Sequence, residues 1–218
     1  MKDTKAKWVA LIILCLGDLM IVLDTTIVNV ALPSIQRSLR FSEANLVWVV
    51  NAYMLTFGGF LLLGGRLGDL FGHRRLFLVG ISIFTIASLA CGLAPSQLLL
   101  VAARAVQGAG GAIVSAVALS LIMDLFHEPE ERAKAMGFFG FVMAGGGSLG
   151  VLLGGVLTDS LSWRWVFLVN LPIGVLVCAL TLRLIKKTEG THRPLDLLGA
   201  LLITASLMVL VYGIVGGN

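Results

Sequence analysis

Three side chains carry charge inside otherwise apolar runs: Asp18 and Asp24 within Trp8–Leu32, and Arg104 within Leu98–Met123. An ionisable group at membrane depth is costly and marks a functional site by default. Asp24 lies eight residues before Leu32, about 12 Å from that end at helical rise. Arg104 lies six residues past Leu98, about 9 Å from the same side if the two runs cross in opposite directions. Opposite charges at matched depth can pair. Arginine stays charged throughout, so in such a pair only the carboxylate changes its protonation. If the two approach in one state and separate in another, a proton moves with the cycle. Gln107, one turn deeper than Arg104, can hydrogen-bond either partner or a substrate. The same depth match also suits a structural ion pair with no transport role. Asp18 sits nearer the midplane, where the sequence supplies no partner. It is the alternative proton carrier.

The elements that must position these residues are membrane spans. The chain is 58% hydrophobic and 13% charged, against about 25% charge in a soluble domain. Apolar runs long enough to cross a bilayer occur at Trp8–Leu32, Asn45–Gly65, Leu76–Leu93, Leu98–Met123, Ala135–Leu157, Trp165–Ile185 and Leu195–Val215. The first is too long for a signal peptide and holds two aspartates. Pro33 is expected to end it. Trp48 and Tyr53 suit an interface or a cavity wall. In HEPEER, Pro129 suits a first helical position, and Glu130 and Glu131 suit the positive end of the helix dipole.

Of the 16 Lys and Arg residues, Arg37, Arg40 and Arg164 fall on one side and Arg104 in a span. The remaining twelve fall on the side of the N-terminus, which places that side in the cytoplasm. These basic residues sit in loops and tails, so the net charge of +4 is no nucleic-acid footprint. Cys15, Cys91 and Cys178 are too few and too scattered for a disulfide framework or a metal site. The chain has no G-x-x-x-x-G-K-[ST] loop for ATP and no paired catalytic residues in a soluble domain, so neither an ATP-driven pump nor an enzyme is expected.

Between the second and third runs stands GRLGDLFGHRR, Gly65–Arg75. We read it as a tight polar turn in which Gly65, Gly68 and Gly72 let the backbone reverse. The fifth run is rich in glycine, at Gly137, Gly140, Gly145, Gly146, Gly147, Gly150, Gly154 and Gly155. Gly146, Gly150 and Gly154 recur every fourth residue, a face on which another helix can approach closely.

Taken in order, these stretches resemble the major facilitator superfamily, in its drug:proton antiporter branch with fourteen spans. GRLGDLFGHRR is similar to the superfamily signature between spans two and three. LDTTIVNVALP (Leu23–Pro33), RAVQGAGGA (Arg104–Ala112) and WRWVFLVNLPIG (Trp163–Gly174) resemble motifs of spans one, four and six. Gly137, Gly146, Gly150, Gly154 and Gly155 follow the span-five antiporter motif. The chain departs from the pattern at Leu70 and His73, where basic residues are usual, and at Val151, where Pro is usual.

The resemblance implies an all-α integral membrane fold. Residues 1–185 would form an N-terminal six-helix bundle of inverted three-helix repeats. Residues 186–218 would add a cytoplasmic loop and a seventh span, with the chain stopping before a second bundle. Spans one and four would line a substrate cavity, with Asn29, Asn51, Tyr53 and Gln107 as candidates. Spans two and five would meet the second bundle or a second chain. By the same resemblance Asp69 caps a helix N-terminus of the other half, and His73, or Arg74 or Arg75 in its place, links it to Asp124, forming a conformational gate. The implied activity is proton-driven export of drugs or related amphiphiles from the cell (inner) membrane. A proton gradient is its energy source and no cofactor is needed. A non-transporting accessory half, or an exporter of lipids or metabolites, is the alternative.

Overall fold

The computed structural model describes residues 2–185 and 197–216. The expected loop at 186–196 lies outside the described residues. The helices are α1 (Lys2–Leu39), α2 (Glu43–Leu46), α3 (Trp48–Phe71), α4 (His73–Gly92), α5 (Gln97–Leu125), α6 (Pro129–Ser160), α7 (Trp165–Leu168), α8 (Asn170–Leu184) and α9 (Leu197–Gly216). Among the described residues, six helical segments are long and apolar enough to cross a membrane. They are α1, α2 with α3, α4, α5, α6, and α7 with α8.

The packing repeats. α3 lies on α5 as α6 lies on α1, and α4 lies on α5 as α8 lies on α1. α1 meets α5, and α4 meets α8, across the middle. That is the arrangement of two equivalent three-helix units. α1 and α5 are the most buried segments; α3 and α6 are the most exposed.

Two arginines tie the units together in a reciprocal way. Arg164, just before α7, donates from Nη1 to the carbonyls of Gly92 (3.0 Å) and Ala94 (2.9 Å) at the end of α4. Arg74, at the start of α4, donates to Leu182 O (2.8 Å) at the end of α8. Each caps orphan carbonyls at a helix C-terminus, where positive charge is favoured.

Several boundaries differ from the sequence reading. α1 runs through Pro33 to Leu39. A proline inside a helix removes one backbone hydrogen bond, and the remaining turns carry the helix on. The stop comes at Arg40, with φ 55°. There the Phe41 N–H reaches back to Gln36 O at 3.1 Å, a Schellman closure, and Gln97 Nε2 donates to Leu39 O and Arg40 O. The expected turn at Gly65–Arg75 is far shorter. Gly65 and Gly68 belong to α3, and only Gly72, with φ 89° and ψ 127°, breaks the helix. Glycine serves there because other residues reach such a backbone only under strain. Gly68 serves instead by its small size: a Cβ there would stand 2.8 Å from the His73 ring.

In α6, Pro129 does occupy the first turn, with Glu130 and Glu131 beside it. Glu131 pairs with Lys7 of α1. The helix continues without interruption through Val151, which is exposed. Val151 restores the backbone donor that a proline would remove. Gly146, Gly150 and Gly154 face α1, where a Cβ would meet Leu19, Thr26, and Ile27 with Val30 respectively. Gly137, Gly145, Gly147 and Gly155 meet nothing within 4 Å.

α3 is less free than expected for a helix facing a second bundle. α9 packs on it, with Met208 against Gly59 and Tyr212 stacked on Trp48 at 6.0 Å. The two glycines Gly58 and Gly59 leave the room that Met208 and Val211 enter.

Candidate functional site

The site is a closed polar cluster in an apolar bundle. Asp24 and Arg104 come from α1 and α5, which cross the middle of the fold, and both are buried. Arg104 Nη1 donates to Asp24 Oδ2 at 2.5 Å and to Gln107 Oε1 at 2.7 Å. Its Nε donates to Val49 O of α3 at 2.9 Å. The other Asp24 oxygen, Oδ1, accepts from Gln107 Nε2 (2.7 Å) and from Asn170 Nδ2 of α8 (3.0 Å). Gln107 Nε2 also reaches Ser88 Oγ of α4 at 2.7 Å. The guanidinium lies 4.2 Å from the Tyr53 ring centroid and 5.8 Å from that of Phe167. Five of the six membrane-crossing segments therefore converge on one ion pair and its braces.

This arrangement can hold a charge where water is absent. A buried ion pair is stable only when its remaining donors and acceptors are matched, and here Asp24 receives three donors. Withdrawal of Arg104 would leave a buried carboxylate with two neutral amide donors and no cation, a costly arrangement.

The structure brings Asp24, Arg104 and Gln107 together, as the depth argument implied. It places Tyr53 and Gln107 in the interior, not on an open cavity wall. Tyr53 is buried beneath Arg104 because its ring face attracts the cation, and Gln107 is occupied by Asp24 and Arg104. Asn29 stays exposed, its amide donating to Thr25 O at 2.9 Å, and Asn51 is half-buried. Asp18 has a partner that sequence reading did not supply: Ser115 Oγ donates to its Oδ1 at 2.7 Å.

Ser88, Asn170 and Ser115 were missed. The signal that finds them is depth. Ser88 lies five residues before Leu93 and Asn170 five after Trp165, each about 8 Å from the same side as Arg104. Extending the depth comparison from charged residues to hydroxyls and amides places them beside the pair.

At the Gly72 end, His73 bridges two carboxylates. Its Nδ1 is 3.0 Å from Asp124 Oδ2 and its Nε2 is 3.2 Å from Asp69 Oδ1. Asp69 also stands 3.9 Å from Arg66. Arg74 turns away to α8, so the link between α3, α4 and α5 runs through the histidine.

Repeated three-helix units, six membrane-crossing segments and a buried ion pair at their centre define a polytopic membrane protein. The chain matches the family model described as Major Facilitator Superfamily over residues 14–217. It belongs to that superfamily. It is 48% identical over 94% of its length to the puromycin resistance protein pur8 of Streptomyces alboniger, covering 41% of that protein. It is 46% identical over 97% of its length to the cephamycin export protein CmcT of Amycolatopsis lactamdurans, covering 44% of it. The chain thus spans less than half the length of these relatives. Among solved structures it is similar to a bacterial homolog of the human lysosomal transporter Spinster, inward-facing and unoccupied, with a TM-score of 0.74. That likeness, at 20% identity, covers 88% of this chain and 46% of the other.

Proposed function

We propose that this chain forms the ion-coupled portion of a secondary transporter that exports drugs or related amphiphilic molecules in exchange for protons. The observation that carries this reading is the Asp24–Arg104 pair, fully enclosed and braced by Gln107 and Asn170. A charge placed so deep is expensive, and an exchanging proton explains why it is kept. The resistance and export names of the relatives support the substrate class.

In this reading the exposed α6 face with Gly145, Gly147 and Gly155 meets the rest of the transporter, a second bundle or a second chain, during alternating access. The protein sits in the cell (inner) membrane with the N-terminus and the Gly72 turn in the cytoplasm. Asp24 exchanges the proton as Arg104 approaches and withdraws, and a cationic substrate competes for the same carboxylate.

The test uses the intact transporter in lipid vesicles, with efflux followed under an imposed proton gradient. Asp24→Asn is expected to keep binding of neutral compounds and to lose gradient-driven efflux. Normal proton-driven efflux by Asp24→Asn would refute the assignment. Efflux indifferent to the gradient in the unsubstituted protein would refute proton coupling itself.

A further inference from the structure

Asp18 is fully buried, yet the Asp24 cluster does not use it. Its Oδ1 accepts from Ser115 Oγ, while its Oδ2 is buried and makes no hydrogen bond among the described residues. Tyr53 Oη is another buried polar atom in the same condition. Both lie along one stripe of α5. Oη rests against Gly111, where an added Cβ would stand 3.1 Å from it, and Asp18 is tied to Ser115, four residues further on. Those α5 positions are about 6 Å apart along the axis.

The charge state of Asp18 follows from its surroundings. Ser115 supplies one neutral donor. Arg104 is committed to Asp24, Gln107 and Val49. The titratable groups facing Asp18 are the Cys15 thiol on α1 and the Tyr53 phenol on α3, and neither carries positive charge. At this depth α4, α6 and α8 bring no charged side chain. A carboxylate with no cation and one free oxygen, removed from water, neutralises itself by binding a proton.

We propose that Asp18 and Ser115 form a second proton-binding site, occupied in this conformation while Asp24 remains ionised against Arg104. The two acids are six residues apart, about 9 Å along α1, and differ in whether a cation stands beside them. Release leaves Asp18 as a carboxylate that keeps its Ser115 bond, with the proton passing to water. For transport the consequence rests on the proton-coupled reading above: the protein has two titrating groups, so Asp18→Asn moves one proton fewer per substrate.

Infrared spectroscopy of the intact transporter in lipid tests the site directly. The unsubstituted protein is expected to show the carbonyl stretch of a protonated carboxylic acid at neutral pH. Asp18→Asn, which retains the size of the neutral acid and an acceptor for Ser115, should lose that band. Asp24→Asn should keep it, and Ser115→Ala should shift it. No band at neutral pH, or a band that survives Asp18→Asn, would overturn the proposal. If the band behaves as expected but efflux ignores the proton gradient, the site stands and the transport reading fails. If efflux is proton-driven and the band is absent, the reverse holds.

Discussion

Arg104 Nη1 and Asp24 Oδ2 are 2.5 Å apart although 80 positions separate them in the chain. The pair locks α1 to α5 at the axis of the fold. Removing one partner strands a buried charge, which costs about 3–5 kcal/mol. Arg104→Gln and Asp24→Asn should therefore each destabilise the bundle by an amount in that range. The double variant Asp24→Asn/Arg104→Gln should recover most of the loss, because neutral amides can share the donors and acceptors already in place. Thermal unfolding of the three variants in one detergent checks this. A double variant no more stable than the worse single one would show that the pair contributes more than charge balance.

His73 contacts two carboxylates through its two ring nitrogens. A neutral imidazole has one N–H, so only the imidazolium donates to both. His73→Ala removes both contacts of the bridge between α3 and α5. Hydrogen exchange of the Gly72 turn should be faster in that variant. Unchanged exchange would mean that the histidine is incidental.

The glycines of α6 divide by face. Gly150→Ala and Gly154→Ala push a methyl into Thr26 and into the Ile27 backbone of α1. Overpacking of this kind costs about 1–3 kcal/mol. Gly147→Ala and Gly155→Ala meet nothing within 4 Å and should leave bundle stability within about 0.5 kcal/mol. Thermal unfolding separates the two groups. Equal losses on both faces would contradict the packing.

Gly72 alone reverses the chain between α3 and α4, at φ 89°. Gly72→Ala should cost about 1–3 kcal/mol of backbone strain. Gly65→Ala should cost far less, since that residue is helical and its nearest neighbour across the space, Ala116, is 3.9 Å from the new Cβ. Parallel unfolding measurements decide between one turn residue and three.

The sequence by itself determined the class of the protein. Runs of apolar residues near twenty long mark helices that cross a bilayer. It also determined that Asp24 and Arg104 share a depth, because helical rise converts position into distance. The fourfold spacing of Gly146, Gly150 and Gly154 fixed a face for close approach. Only the tertiary structure decided which helix fills that face, because spacing along one helix says nothing of its neighbour. It also decided that Gly72 alone makes the turn, since a glycine inside a helix and a glycine in a turn look alike in sequence. Tyr53 belongs to the interior and not to a cavity wall because the cation of Arg104 lies over its ring, and that position is set by α5. Ser88, Asn170 and Ser115 are ordinary residues in their own segments. They become part of the polar clusters only when folding brings their helices to the same depth around α1, where a buried carboxylate demands donors.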